Sequence, residues 1–158
     1  MKIVMDSDCL IKITKCGLKK LICQNFKIFI PAKVKEEVVD KGIQKGFNDA
    51  LIVRDNIKKG LLVVKKHRGD YTHGEQEILA LYQNGSYDAI ATDDAKFIRV
   101  LTMANIRYIV PAVFIVIMYN NRILSLSSAL QRLEELAAFI SEDEHIATKL
   151  YLEKKNES

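Results

Sequence analysis

The 158-residue chain lacks any apolar run long enough to cross a bilayer. Its longest, IVPAVFIVIM at 109–118, falls well short of the roughly 20 residues a spanning helix needs and contains a proline. The opening MKIVMDSD turns acidic at once and has no signal-peptide layout, so a cytoplasmic location is expected. Cysteine is sparse: Cys9, Cys16 and Cys23 stand seven residues apart. On a helix, neighbouring pairs would be about 10 Å apart along the axis, too far for a disulfide. No histidine or cysteine pair has zinc-finger spacing, which argues against a structural zinc. The cysteines read as small apolar residues on a buried stripe. Repeats, low-complexity tracts and linkers are also missing. One domain is therefore expected over 1–153, with KKNES at 154–158 as a frayed tail.

What remains is an ordinary soluble composition, 49% hydrophobic and 28% charged, in a chain long enough to bury a core. The net charge of +4 is unevenly spread. Residues 1–68 carry 16 Lys+Arg against 7 Asp+Glu, net +9; residues 69–158 carry 8 against 13, net −5. A basic N-terminal half suits a polyanionic partner such as RNA, although charge runs often serve only as solvated surface.

Short apolar runs alternate with helical patterns. Strands are expected at 2–5, 27–30, 61–64, 89–92 and 107–110. Helices are expected at 9–24, from Pro31 to a stop at Gly42, at 47–60, 72–85 and 94–106, and then at about 112–121, 126–139 and 142–153. Alternation of this kind marks an α/β fold built on a parallel sheet covered on both faces.

Acidic residues gather at the strand ends. Asp6 ends the first strand, and Asp93 and Asp94 end the fourth. Glu75 opens the helix before the fourth strand, and Glu37 lies on the helix after the second. Each has a local explanation. Asp6, Ser7 or Asp8 could cap the first helix; THGE could be a capping box from Thr72 to Glu75; Asp93 could be an N-cap and Asp94 a first-turn acid; Glu36 and Glu37 could face water. In open α/β sheets, however, ligands bind beyond the carboxyl ends of the strands, where the strand order switches. If the first and fourth strands are neighbours there, these carboxylates meet. Two carboxylates about 4 Å apart repel by roughly 4 kcal/mol at an effective dielectric near 20, which a divalent cation relieves. Mg²⁺ accepts a few carboxylates and completes its shell with water and phosphate, the setting for phosphoryl hydrolysis.

The pieces KIVMDSDCLI, IPAKVKEEVV, GEQEILAL and AIATDDAKF, with the ending IRYIVPAVFIVIMYNNRILS, resemble the PIN-domain nucleases, particularly compact, toxin-like prokaryotic members. The resemblance runs over most of residues 2–153. It implies a three-layer α/β/α fold with a sheet of about five parallel strands in the order 3-2-1-4-5, followed by C-terminal helices. It implies hydrolysis of RNA at a Mg²⁺ or Mn²⁺ site. By position, Asp6, Glu37, Glu75 and Asp93 would be the catalytic acids, and Asp6, Glu75, Asp93 and Asp94 the metal ligands. Asp8 stands where many members carry Asn or Ser, and Glu77 competes with Glu75, one for the site and the other for the surface. An antitoxin partner and a homodimer are further implications, with the 109–118 run either a dimer face or a core helix.

Two other functions fit parts of the chain. VMDSDCL resembles the opening of haloacid-dehalogenase-like phosphatases, with Asp6 as nucleophile and Asp8 as general acid, but this leaves Glu37 and Glu75 without a role. A PIN scaffold that binds RNA or a partner without cutting is the other.

Overall fold

In the computed structural model, residues 1–156 are described; Glu157 and Ser158, the end of the tail expected at 154–158, lie outside the described residues. The chain divides into two compact units, Met1–Ile109 and a helical unit that begins at Val110.

The first unit holds a five-stranded parallel sheet in the order β3-β2-β1-β4-β5. The strands are β1 (Lys2–Met5), β2 (Lys27–Pro31), β3 (Leu62–Lys65), β4 (Ala89–Ala91) and β5 (Tyr108–Ile109). The sheet order and the α/β/α class both agree with what the resemblance implies. Successive strand residues point to opposite faces. Ile3, Val4 and Met5 are all completely buried, as are Ala89, Ile90 and Ala91, so both faces of the two central strands are covered. This is why these strands read as unbroken apolar runs rather than as alternation.

The helices of this unit differ from expectation in informative places. The helix expected at 9–24 is two: α1 (Ser7–Lys15) and α2 (Lys19–Asn25). Gly17 separates them with φ +74°, a left-handed turn that glycine adopts without penalty. After β2, Pro31 leads into α3 (Ala32–Lys35), a π-helical turn at Glu36–Asp40, and α4 (Lys41–Gln44). Gly42 does not stop this helix. It is buried within α4, where a Cβ would lie 2.7 Å from that of Ala50 on α5 (Asn48–Lys58), so glycine lets the two helices close together. The actual stop is Gly46, φ +75°. Two further helices, α6 (Gly74–Asn84) and α7 (Ala95–Met103), flank β4 in sequence.

The second unit is α8 (Pro111–Asn120), α9 (Leu126–Leu136) and α10 (Glu142–Asn156). Pro111 opens α8 at its first turn, where its missing N–H costs nothing. The Glu144 carboxylate accepts the Ala112 N–H at 2.8 Å, joining α10 to the start of α8. Phe114, Ile115 and Met118 are fully buried, so much of the 109–118 run is core. Residues 154–156 continue α10. Among the described residues, no helix is long and apolar enough to cross a membrane.

Candidate metal centre

The site follows from the strand order. β1 and β4 are parallel neighbours with Met5 opposite Ala91, so the residues leaving both strands emerge side by side. The Asp6 N–H still donates to the Ala91 carbonyl at 3.0 Å, which fixes Asp6 against the start of the Thr92-Asp93-Asp94 turn. This is the point where the strand order switches, the crevice position of open α/β sheets.

Asp6 is the N-cap of α1, its Oδ1 accepting the Cys9 N–H at 2.8 Å. It is only 8% exposed. Burial pushes its carboxyl up to about 7; hydrogen bonds from Thr92 and the Cys9 N–H pull the other way, and the charges of Asp93 and Asp8 add to the rise. Thr92, completely buried, serves both strand ends: its hydroxyl bonds to Asp6 and accepts the Asp94 N–H at 3.2 Å.

The tandem acids divide their work differently from expectation. Asp94, not Asp93, is the N-cap of α7, accepting the Phe97 N–H at 2.7 Å through Oδ1. Asp93 precedes the helix and receives the Lys12 ammonium from α1. Burial lowers the Lys12 pKa, but the hydrogen bond and charge of Asp93, helped by Asp8 and Cys9, outweigh it, and the net shift is upward.

Glu37 projects from the π-helical turn, and its Oε2 accepts the Ser7 hydroxyl at 2.5 Å. A π turn inserts a residue into the helical ladder, and such insertions are frequent at functional sites. Glu75 sits in the first turn of α6 and is exposed. The capping box expected there does not form: His73 is the N-cap, and Thr72 Oγ1 donates instead to Gln76 Oε1 at 3.3 Å. Glu77 is neither in the site nor on the surface. It is 2% exposed and accepts the Lys33 N–H at 2.9 Å and the His67 N–H at 3.4 Å, tying the start of α3 to the segment after β3.

Asp6, Asp8, Glu37, Glu75 and Asp94 line one open cleft of about 440 Å³, together with Ser7, His73 and Gly74. Asp93 is not among its walls, and neither is any Lys or Arg. Ser7, Lys12, His73 and Thr92 were missed as site residues from sequence. Only Lys12 had a readable signal, its (i, i+4) spacing from Asp8 on a basic helix.

Carboxylate oxygens dominate the lining, the chemistry of a hard cation, and His73 is the one imidazole in it. Among the described residues, no group of three or more His, Cys, Asp or Glu side chains stands close enough together to hold a metal ion. An open set still fits Mg²⁺ or Mn²⁺, because Mg²⁺ keeps several waters and needs only one or two carboxylates plus substrate phosphate. The upward shift at Asp6 supports the fit: a buried carboxyl beside other acids lacks the positive charge that would ionise it easily.

A parallel 3-2-1-4-5 sheet with an acidic cleft at its switch point defines a PIN-like α/β/α protein. A family model for the PIN domain matches residues 2–152, and the chain belongs to that family. PIN domains are generally metal-dependent nucleases. No curated protein matches the chain closely enough to add a relative.

Proposed function

We propose that this chain is a Mg²⁺- or Mn²⁺-dependent endoribonuclease that hydrolyses RNA phosphodiester bonds in the acidic cleft. The supporting observation is the convergence of five carboxylates, from four separate stretches of sequence, on a cleft with no Lys or Arg in its walls. In this reading Asp6, Glu75 and Asp94 would draw in to hold the ion, and Asp93, now bonded to Lys12, would be the further ligand. When bound, the ion supplies positive charge for the phosphoryl oxygens and acidifies an attacking water.

The protein's own groups do the rest. Thr92 orients the Asp6 carboxylate through its hydroxyl, and the Cys9 N–H fixes the other side. Ser7 fixes one oxygen of Glu37, leaving the other free to accept a proton from water and aim it in line with the scissile bond. Gly74, at the start of α6, lies across the cleft from Glu37: a Cβ there would stand 3.9 Å from the Glu37 carboxylate, an ordinary contact.

The wider reading follows the small members that the sequence resembles: a cytoplasmic single-domain toxin, homodimeric and restrained by an antitoxin. The phosphatase reading gains only Asp6 and Asp8, and Glu37 and Glu75 on the same cleft favour the nuclease. The deciding experiment incubates single-stranded and structured RNAs with the protein and Mn²⁺, with and without EDTA, beside Asp6→Asn and Asp93→Asn. Cleavage by the wild type alone, abolished by EDTA, is the expected result. Cleavage surviving EDTA contradicts the metal. RNA bound equally by all three proteins and cut by none means a binding module. Turnover of p-nitrophenyl phosphate with an aspartyl-phosphate intermediate means a phosphatase.

A further inference from the structure

A second cavity, of about 350 Å³, adjoins the acidic cleft, and Glu37 lines both. It lies between α1, α4 and the turn into α5, and Gly42 sets its depth by letting α5 approach. Its chemistry is opposite to that of the cleft. Lys15, Lys41 and Lys45 stand on its rim, all exposed. Among the described residues, Lys15 and Lys45 are paired with no carboxylate, and Lys41 reaches Glu36 only at 3.8 Å. The acids on this lining are Asp49 and Glu37, the latter already bonded to Ser7. Phe47 also lines the groove and is 57% exposed, a large apolar ring left in water next to free ammonium groups.

Exposed lysines, two of them without a carboxylate partner, around an exposed aromatic on an apolar floor are what sequence-tolerant binding of single strands uses: cations follow the phosphates and the ring takes a base. An apolar protein face laid here would strip water from Lys15 and Lys45 without giving them a partner, which is costly. We propose that this groove holds the single-stranded RNA flanking the scissile phosphate, with a base stacked on Phe47 and backbone phosphates against Lys15, Lys41 and Lys45. Glu37 would then mark the boundary between the binding groove and the cutting cleft. The proposal rests on the nuclease reading for its substrate but assigns residues that the reading leaves idle.

The test is fluorescence anisotropy of a labelled single-stranded oligouridylate, in EDTA so that nothing is cut, with a separate Mn²⁺ cleavage assay. Phe47→Ala should weaken binding about 5- to 100-fold, and Phe47→Tyr should restore it. Lys41→Ala with Lys45→Ala should reduce the slope of log affinity against log salt by about 0.7 per lysine removed. All three sites are on the surface, so thermal melts should stay close to the wild type and report any folding defect. Binding unchanged in every variant, or no binding by the wild type, overturns the groove. So does a wild-type oligomer that Phe47→Ala dissociates while leaving RNA affinity intact, because the face would then belong to a protein partner. The two readings fail separately. A wild type that cuts RNA while the variants bind normally removes the groove alone. Variants that bind weakly beside a wild type that never cuts remove hydrolysis alone.

Discussion

The ammonium of Lys12 is bonded to the carboxylate of Asp93, so one of the acids at the end of β4 is already neutralised from within the fold. α1 thus approaches the site in two ways: its N-terminus is capped by Asp6, and its second turn supplies a cation. In the proposed metal site, this lysine would compete with the ion for Asp93. Lys12→Met should therefore raise Mn²⁺ affinity several-fold in calorimetric titration. It should also lower metal-free stability by about 1–3 kcal/mol, because Asp93, with its side chain 10% exposed, loses its partner. Unchanged metal affinity with lost cleavage would instead mean that Lys12 meets the substrate.

Asp6 gives the metal-free protein a pH-dependent stability between acid and neutral pH. Its carboxyl titrates near 7 in the fold against an ordinary 3.8, chiefly because it is buried. Between those values the folded state holds a proton that the unfolded chain has lost. Stability from this group is therefore full below about pH 4 and falls as pH rises to 7. Asp6→Asn keeps a good N-cap and removes the penalty, so in EDTA it should be the more stable protein, by up to about 4 kcal/mol at pH 8 and by little near pH 4. Urea melts across that range check it. An Asn variant less stable at pH 8 would show that its lost contacts outweigh the relieved burial.

Glu75 and Glu77, two residues apart on α6, should separate function from stability. Glu75 is exposed and lines the cleft, so Glu75→Gln should leave the melting temperature nearly unchanged and reduce cleavage by at least tenfold. Glu77 is buried and accepts two backbone N–H groups, so Glu77→Ala should cost about 1–3 kcal/mol by stranding both donors. The reverse pattern would exchange their roles.

How far the fold was legible depended on the kind of signal. Apolar runs such as KIVM and AIAT are local, and burial of both faces makes them continuous, so the strands could be read to within a residue or two. The strand order could not be read from the runs themselves and came from the resemblance. Asp6 and Asp94 were legible as acids at strand ends, because strand ends meet at the switch point whatever their neighbours do. Less legible were features decided by three-dimensional competition. Gly17 breaks a helix whose apolar spacing runs straight through it, while Gly42 looks like a stop and is a packing contact. Asp93 and Asp94 are both good caps by residue type; Asp94 takes the cap, and Asp93 pairs with Lys12 from α1, 81 residues away in sequence. Glu77 reads from sequence as either site or surface, and not as a buried acceptor, because its backbone partners lie 44 and 10 residues away.

Thr92 joins the two strand ends through one hydroxyl, and this makes a sharper test of the site than removing an acid. The group donates to Asp6 and accepts from the Asp94 backbone in a place with no solvent access. Thr92→Val keeps the volume and the β-branch but removes the hydroxyl. Asp6 then loses the donor that most favours its charged form, so its pKa should move further up. A carboxyl more reluctant to ionise binds a divalent ion less well at neutral pH. Mn²⁺ affinity should fall about tenfold at pH 7 and recover as pH rises, while Thr92→Ser should stay near the wild type. Titration of Mn²⁺ at pH 6, 7 and 8 distinguishes this from general loosening, which would weaken binding equally at every pH. A flat profile would show that Thr92 holds the turn in shape without tuning Asp6.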